Sequence, residues 1–177
     1  MLWSIAFDRL GVVVSDIYFV DPRPAEGQEG AERGVRLELR AFDRDPLHGS
    51  IYSAVPIRVD RPLWRVDLLE SVASTPGSLD RAHHHPRFSG WEPGRRVFVE
   101  QLSAHPVSWL RDRLADPAAV LAEAGEDPAG HAADAAALRA AAPLIVGTVE
   151  HLLAEVAAGR AGSAPDGAGD SVRASWL

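Results

Sequence analysis

The sequence contains no cysteine among its 177 residues. Disulfide bonds, thiolate zinc sites, iron–sulfur clusters and cysteine nucleophiles are therefore all excluded. Any metal ion that this chain binds must be held by histidine, aspartate or glutamate side chains. The candidates for a metal site are thereby reduced to 7 histidines and 25 acidic residues.

Lysine is also missing, since all 18 basic residues are arginine. The formal net charge is −7, which argues against nucleic-acid binding because phosphate contacts need clustered cations. No stretch approaches the ~18 to 20 continuous apolar residues of a membrane span. The first residues, from Met1 to Asp8, lack the basic segment of a secretory signal. We therefore expect a cytoplasmic protein with neither a nucleic-acid partner nor a membrane partner.

The length of the chain fits one domain with a proper hydrophobic core. Hydrophobic residues make up 46% and charged residues 24%, which is typical of a globular protein. Residues 159–177 are rich in glycine, alanine, serine and aspartate, and this composition predicts a disordered tail. We predict one domain over residues 1–158 followed by that tail, and leave homo-oligomerisation open.

The first hundred residues carry strand patterns. From Val35 to Phe42, apolar residues alternate with Arg36, Glu38 and Arg40, which is the period of a half-buried strand. Further strands are predicted over residues 11–20, 51–59, 80–88 and 95–102, and residues 63–72 fit either a strand or a helical turn. Their spacing predicts an antiparallel sheet or a small open β-barrel over residues 10–102.

Helical periodicity begins at Pro106. Asp116 and Asp127 each precede a proline, the pattern of an N-cap followed by the first residue of a helix. Helices are predicted over residues 117–124 and 128–158, and Pro143 is expected to kink or split the longer one. The predicted fold class is therefore α+β, with the helical half following the sheet.

The densest cluster of reactive side chains is the run from His83 to His85. On a strand, His83 and His85 point to the same side, roughly 6.5 Å apart, whereas His84 points to the other side. A carboxylate from a neighbouring strand, Asp67 or Glu100, would complete a site of two histidines and one carboxylate. Such a site holds Fe(II), Mn(II) or Zn(II) and leaves coordination positions open for a substrate.

The same histidines have a plainer interpretation, which remains open from the sequence. A run of three histidines before a proline is also found in surface loops that bind metals incidentally. A histidine in a strand can equally be a hydrogen-bonded core residue. A physiological metal site and structural histidines are therefore both retained.

Three further residues are candidates for substrate binding. Arg95 and Arg96 would form a patch for a carboxylate or phosphate group, and Trp91 would line a ligand pocket. The competing interpretation pairs these arginines with nearby acids on a solvated face and makes Trp91 a core or interface residue. The corresponding partner is a small anionic molecule.

Two resemblances concern this part of the chain. Gly77, five further residues and the pair His83 and His85 resemble the opening of the cupin motif, which implies a β-barrel and a metal site. The likeness ends there, because the positions of the motif's glutamate hold Ser89 and Gly90. The stretch AHHHPRF followed by GWEP is similar to a family of small uncharacterised actinobacterial proteins, and that resemblance implies no activity.

Two functional hypotheses follow from the sequence. The first is a metal-dependent enzyme for a small molecule, with His83, His85 and either Asp67 or Glu100 as ligands. The second is a non-catalytic domain that binds a small ligand or a protein partner and uses the histidines structurally. The sequence leaves the choice between them open.

Overall fold

The computed structural model describes residues 1–164. Its main feature is a five-stranded antiparallel sheet in which each strand pairs with the next along the chain. The strands are β1 (Leu2–Ala6), β2 (Leu10–Val20), β3 (Ala31–Arg44), β4 (Ile57–Ser71) and β5 (His83–His85). The sheet is open and does not close into a barrel, so of the two predicted architectures the antiparallel sheet is confirmed.

Within residues 1–164, a small hairpin and four α-helices follow the sheet. The hairpin consists of β6 (Phe88–Ser89) and β7 (Glu92–Pro93). The helices are α1 (Glu100–Ala104), α2 (Pro106–Ala115), α3 (Pro117–Ala124) and α4 (Ala132–Ala157), with a 3-10 turn (Pro128–His131) before the last. This order of a sheet followed by a helical half confirms the α+β class.

The alternation in β3 separates the two faces of the sheet. Val35, Leu37 and Leu39 are at most 2% exposed and belong to the main hydrophobic core, on the face that helix α4 covers. Arg36 and Glu38 project from the opposite face, which we call the open face. A strand alternates in this way because successive side chains leave the pleat in opposite directions.

The core lies between the covered face and the helices. The strands contribute Leu10, Val12, Val14, Val35, Leu37, Leu39, Trp64, Val66 and Leu68, and the helices contribute Leu102, Leu110, Leu114, Leu121, Leu138, Ile145, Val149 and Leu152. Burial of this apolar surface supplies the main driving force for folding. It also holds β2, β3 and β4 in a fixed register, because a slip of one residue would expose the apolar side chains.

One glycine permits the close pairing of β3 and β4. Gly34 has a φ of 155°, and a Cβ atom there would lie 2.1 Å from the carbonyl oxygen of Leu68. A larger residue would push the two strands apart at this point. The position is two residues before Arg36 and therefore lies on the open face of the same strand.

The strand boundaries differ from the predictions in several places. Of the strand predicted over residues 80–88, only β5 (His83–His85) and Phe88, which begins β6, are in strands, and β3 begins at Ala31 instead of Val35. Residues 51–56 form a largely exposed turn and loop, and β4 runs without interruption from Ile57 to Ser71 instead of forming two strands. The pairing slips opposite Pro62, because proline has no N–H to donate to the ladder. Residues 95–102 do not form a strand, although Val97 makes an isolated bridge to His84. Strand β1 was not predicted at all.

The helix predictions hold in their main points. The carboxylate of Asp116 accepts a hydrogen bond from the backbone of Ala119, and that of Asp127 accepts one from Ala129, so both predicted N-caps are confirmed. Helix α4 is continuous through Pro143 and is not split. Pro143 is exposed, so water can satisfy the backbone carbonyl that the proline leaves without a partner.

Helix α4 is more hydrophobic than expected, because the sequence predicted no segment with the apolar character of a membrane span. The segment Pro128–Ala157 is long and apolar enough to cross a membrane by length and composition alone. The core helix of a globular domain meets the same criterion, and the buried residues of α4, among them Leu138, Ile145 and Leu152, pack against the sheet. The predicted cytoplasmic location stays a prediction.

The predicted tail begins inside the described part of the chain. The backbone N–H of Gly162 donates a hydrogen bond to Asp16 on β2 at 2.9 Å, and Ala161 packs against the core. Residues 159–164 are therefore attached to the domain in this structure. The rest of the predicted tail, residues 165–177, lies outside the described residues.

Candidate metal centre

Asp67 and two histidines meet on the open face of the sheet. The register of β4 and β5 places Asp67 opposite His83 and Arg65 opposite His85. Side chains opposite each other on neighbouring strands have Cβ atoms about 4.5–5.5 Å apart. Because His85 lies on the same face as His83, the carboxylate of one strand faces two imidazole rings of the next. All three side chains are buried.

Two of the three separations between the candidate ligand atoms match those of ligands to one metal ion. The Nε2 atoms of His83 and His85 lie 3.4 and 3.5 Å from Oδ2 of Asp67. All three atoms lie within 4.8 Å of one another. Two ligand atoms bound at about 2.1 Å to a tetrahedral ion are roughly 3.4 Å apart. The observed separations from the carboxylate therefore match those of ligands to a single ion.

The other nitrogen of each ring determines which tautomer is present. Nδ1 of His83 donates to the carbonyl of Arg81 at 2.8 Å, and Nδ1 of His85 donates to the carbonyl of Gly94 at 2.7 Å. A carbonyl oxygen only accepts, so Nδ1 must carry the proton in both rings. Nε2 of each ring then faces Oδ2 of Asp67: it offers a lone pair to a metal ion when the ring is neutral, and it donates a hydrogen bond to the carboxylate when the ring is protonated. Metal-binding histidines commonly have this arrangement, in which a backbone carbonyl orients the ring from behind.

Arg36 holds the carboxylate in place. Its Nε donates to Oδ1 of Asp67 at 2.7 Å, and its Nη2 donates to Oδ2 at 3.2 Å. Burial raises the pKa of Asp67, but the charge of Arg36 and the two facing histidines outweigh it and hold the pKa well below its ordinary value. Asp67 is therefore ionised at neutral pH, which is the form that binds a metal ion.

The middle histidine of the run has a different environment. His84 lies on the covered face, with its ring centroid 6.1 Å from that of Trp64 and 5.1 Å from that of Trp109. Burial and the charge of nearby Arg113 lower the pKa of His84 to about 4. This residue is therefore a neutral part of the hydrophobic core, and the predicted separation of His84 from its two neighbours is observed.

The candidate metal centre opens into a cavity of about 340 Å³, which we call the first cavity. Its lining consists of Ile17, Phe19, Arg36, Arg65, Asp67, Leu69, His83, His85, Trp91, Pro93 and Arg96. The lining contains three arginines and one carboxylate, and each arginine is paired with an acidic side chain: Arg36 with Asp67, Arg65 with Glu38 and Arg96 with Glu32. Its volume lies at the lower end of the range of small-molecule sites, about 300–1,000 Å³.

Trp91 overhangs this cavity from the tip of the hairpin. Gly90 and Trp91 form the two-residue turn between β6 and β7, and Gly90 has a φ of 62°. Glycine is the usual first residue of such a turn because an ordinary side chain is disfavoured there. The turn leaves the indole 61% exposed, with the guanidinium of Arg40 5.3 Å from the ring centroid.

The structure brings together some of the predicted site residues and separates others. Asp67, His83 and His85 form the candidate metal centre, and Trp91 and Arg96 line its cavity. Glu100 is not part of the group, because it begins helix α1 and is exposed instead of lying on a strand. Arg95 is also exposed and does not line the cavity.

Sequence reasoning missed two cavity arginines. Arg36 and Arg65 were seen only as the polar residues of alternating strands, yet both line the first cavity. Arg65 donates to Glu38 at 2.8 Å, and this pair lies beside the pair of Arg36 and Asp67 on the open face. The sequence does contain a signal for them. Arg36 is two residues from Glu38 on β3, and Arg65 is two residues from Asp67 on β4, so each arginine lies on the same face as an acidic residue. The pairing register, which the sequence does not give, was needed to use it.

No known protein was found that resembles this chain in sequence or structure. Comparisons with protein-family models, with curated proteins and with solved structures each found no match. The two resemblances described above therefore stay predictions, and the open sheet does not form the barrel that the cupin motif implies. What the chain does must be inferred from its own geometry.

Proposed function

We propose that this protein is a metal-dependent enzyme that acts on a small anionic molecule. In this proposal Asp67, His83 and His85 hold one divalent ion. Two imidazoles and one carboxylate suit Fe(II), Mn(II) or Zn(II). The observation that carries the proposal is the convergence of two Nε2 atoms on Oδ2 of Asp67, with both Nδ1 atoms bound to carbonyl oxygens.

Electrostatics support a cation at this point. When both rings are neutral, their Nε2 lone pairs face an ionised carboxylate, and these three electron-rich atoms repel one another unless a proton or a metal ion lies between them. A divalent ion converts this repulsion into three bonds. The ligands themselves are prepared for it, because the carbonyls of Arg81 and Gly94 and the guanidinium of Arg36 orient them before any ion binds.

Three protein ligands leave coordination positions for water or substrate. An ion in such a site acts as a Lewis acid on a bound oxygen or lowers the pKa of a bound water molecule. The open positions would face the first cavity, since the three ligand residues belong to its lining. Arg65 and Arg96 line the same cavity and would donate to an anionic group of the substrate in addition to their partners Glu38 and Glu32.

The proposal is tested by elemental analysis of protein purified without a histidine tag. We expect about one metal ion per chain in the wild type and little metal in Asp67→Asn or in the double variant His83→Ala/His85→Ala. His48→Ala is the matched control, because His48 is an exposed loop histidine and its loss should leave the metal content unchanged. Equal metal in the wild type and in the double variant would overturn the proposal.

A thermal denaturation series separates loss of metal from loss of folding. An ion that binds the native state at about 100 times its Kd adds about 2.7 kcal/mol to the free energy of unfolding. Added metal should therefore raise the Tm of the wild type and of His48→Ala, and leave the Tm of a folded Asp67→Asn variant unchanged. A wild type whose Tm does not respond to any of the three metals contradicts the proposal.

The alternative is a non-catalytic domain in which the histidines are structural. It is favoured by one observation: Arg36 already neutralises Asp67 through two hydrogen bonds without a metal ion. This alternative expects no bound metal and no response of the Tm to metal. The two measurements above therefore distinguish it from the enzyme.

A further inference from the structure

A second cavity adjoins the first on the open face. Its volume is about 390 Å³, and it is lined by Leu2, Ser4, Val13, Ser15, Arg36, Glu38, Arg40, Val59 and Trp91. Arg36 and Trp91 line both cavities. The two therefore share a boundary, formed by one arginine of the sheet and the indole at the tip of the hairpin.

The two cavities overlap across the strands and are displaced along them. The first takes in residues of β2 to β5, including the candidate metal ligands, whereas the second takes in residues of β1 to β4, from Ser4 to Val59. Ser4 pairs with Val13, Val13 with Glu38, and Glu38 with Arg65. Since neighbouring strands are about 4.8 Å apart, an extended ligand about 14 Å long would reach from β4 to β1.

The walls of the two cavities differ in character. The first has three arginines in its lining, each of them paired with an acidic side chain. In the second, the charged groups are paired with each other: Arg40 donates to Glu38 at 2.5 Å, and Arg36 is bound to Asp67. Much of the remaining wall is apolar, and Leu2 and Val59 are 64% and 42% exposed on this otherwise polar face. Apolar side chains gathered around a cavity are typical of a ligand site.

We propose that the substrate is an amphiphilic anion whose acidic group binds beside the metal centre and whose apolar arm passes Trp91 into the second cavity. This inference rests on the proposed function and specifies its substrate class. The acidic group is a carboxylate or a phosphate. The indole of Trp91, which borders both cavities, contacts the arm where it crosses from one to the other.

The test measures the affinity of metal-loaded protein for acetate, butyrate and octanoate by isothermal titration calorimetry. Each methylene that leaves water on binding strengthens affinity by about fourfold, so four added methylenes give up to roughly 200-fold. We expect octanoate to bind at least about tenfold more tightly than butyrate, because part of the arm stays in contact with water. Inorganic phosphate and octyl phosphate form a parallel series that identifies the preferred acidic group.

A matched pair of variants localises the arm. Ser4→Trp fills the second cavity from an exposed position of β1, where tryptophan is well tolerated in a strand. Ala6→Trp is the control, since Ala6 lies on the same face of β1 but does not line the cavity. We expect Ser4→Trp to bind octanoate no more tightly than butyrate while it retains the wild-type affinity for acetate. Ala6→Trp should behave as the wild type.

The possible outcomes separate this inference from the proposed function. Equal affinity for butyrate and octanoate in metal-loaded wild type, or an unchanged gain in Ser4→Trp, would overturn the inference and leave the metal centre standing. A wild type without bound metal overturns the proposed function, and the inference falls with it. Metal content is therefore measured on the same samples before each titration.

Discussion

The two faces of the sheet are built from the same strands but have opposite chemistry. On β3, Val35, Leu37 and Leu39 face the helices, whereas Arg36 and Glu38 face the cavities. The covered face gains its stability from the burial of apolar surface. The open face is held by charged pairs, each of which must offset the cost of its own desolvation. Stability and the candidate site are thus assigned to alternate residues of one strand.

The histidine run repeats this division within three residues. His84 lies among tryptophans on the covered face, and His83 and His85 face Asp67 on the open face. Identical side chains therefore have different roles because the pleat sends them into different surroundings. The predictions below concern what each face contributes.

The largest effect is expected on the covered face. Trp64 is 1% exposed and stacks on Trp109 with ring centroids 5.9 Å apart. Trp64→Ala should lower the free energy of unfolding by about 3–5 kcal/mol, because it leaves a cavity in the core. Urea denaturation measures this loss, and the molecules that stay folded should still bind metal. A loss below about 1 kcal/mol would mean that the helices contribute little to this face.

An intermediate effect is expected from an unpaired charge on the open face. Arg36→Leu leaves the buried carboxylate of Asp67 without its main partner, and we expect a loss of about 3 kcal/mol. The double variant Arg36→Leu/Asp67→Leu should recover much of that loss, since the isolated charge is then gone. Both variants are measured by urea denaturation in the presence of a chelator. Additive losses in the double variant would show that the two residues act independently.

Much of the fold could be predicted from the sequence because its patterns are local. The alternation over residues 35–42 gave the orientation of β3, and the proline that follows Asp116 gave a helix start. The boundaries of β4 could not be obtained in this way. A proline interrupts most strands. At Pro62, however, the hydrogen-bond register with β3 shifts and β4 continues, and this can be seen only from the pairing of the two strands.

The candidate site shows the same limit. Alternation alone selects His83 and His85 over His84, and the lack of cysteine requires a carboxylate partner. The choice between Asp67 and Glu100 depends on which strand lies next to β5 and in what register, which is long-range information. Arg36 and Arg65 were missed for the same reason. Local patterns thus predict which face a side chain occupies, and pairing decides which side chains it meets.

The smallest effect tests His84 and depends on pH. Its pKa is about 4 in the folded protein against an ordinary value of 6.5, so the unfolded chain binds more protons between these values. Stability from this residue is therefore complete above about pH 6.5 and is lost as the pH falls towards 4. His84→Phe should remove that loss, which amounts to about 2 kcal/mol at about pH 5 and to almost nothing at about pH 8.

The measurement compares urea denaturation of the wild type and His84→Phe at both pH values, with a chelator present. All other residues are the same in the two proteins, so their contribution to the pH dependence largely cancels in the difference. Among residues 1–164, Nδ1 of His84 is a buried atom without a hydrogen-bond partner, and phenylalanine removes it while retaining an aromatic ring against Trp109. If the two proteins lose stability equally on acidification, His84 is not the neutral core residue described here. The assignment of the three histidines to two faces would then have to be revised.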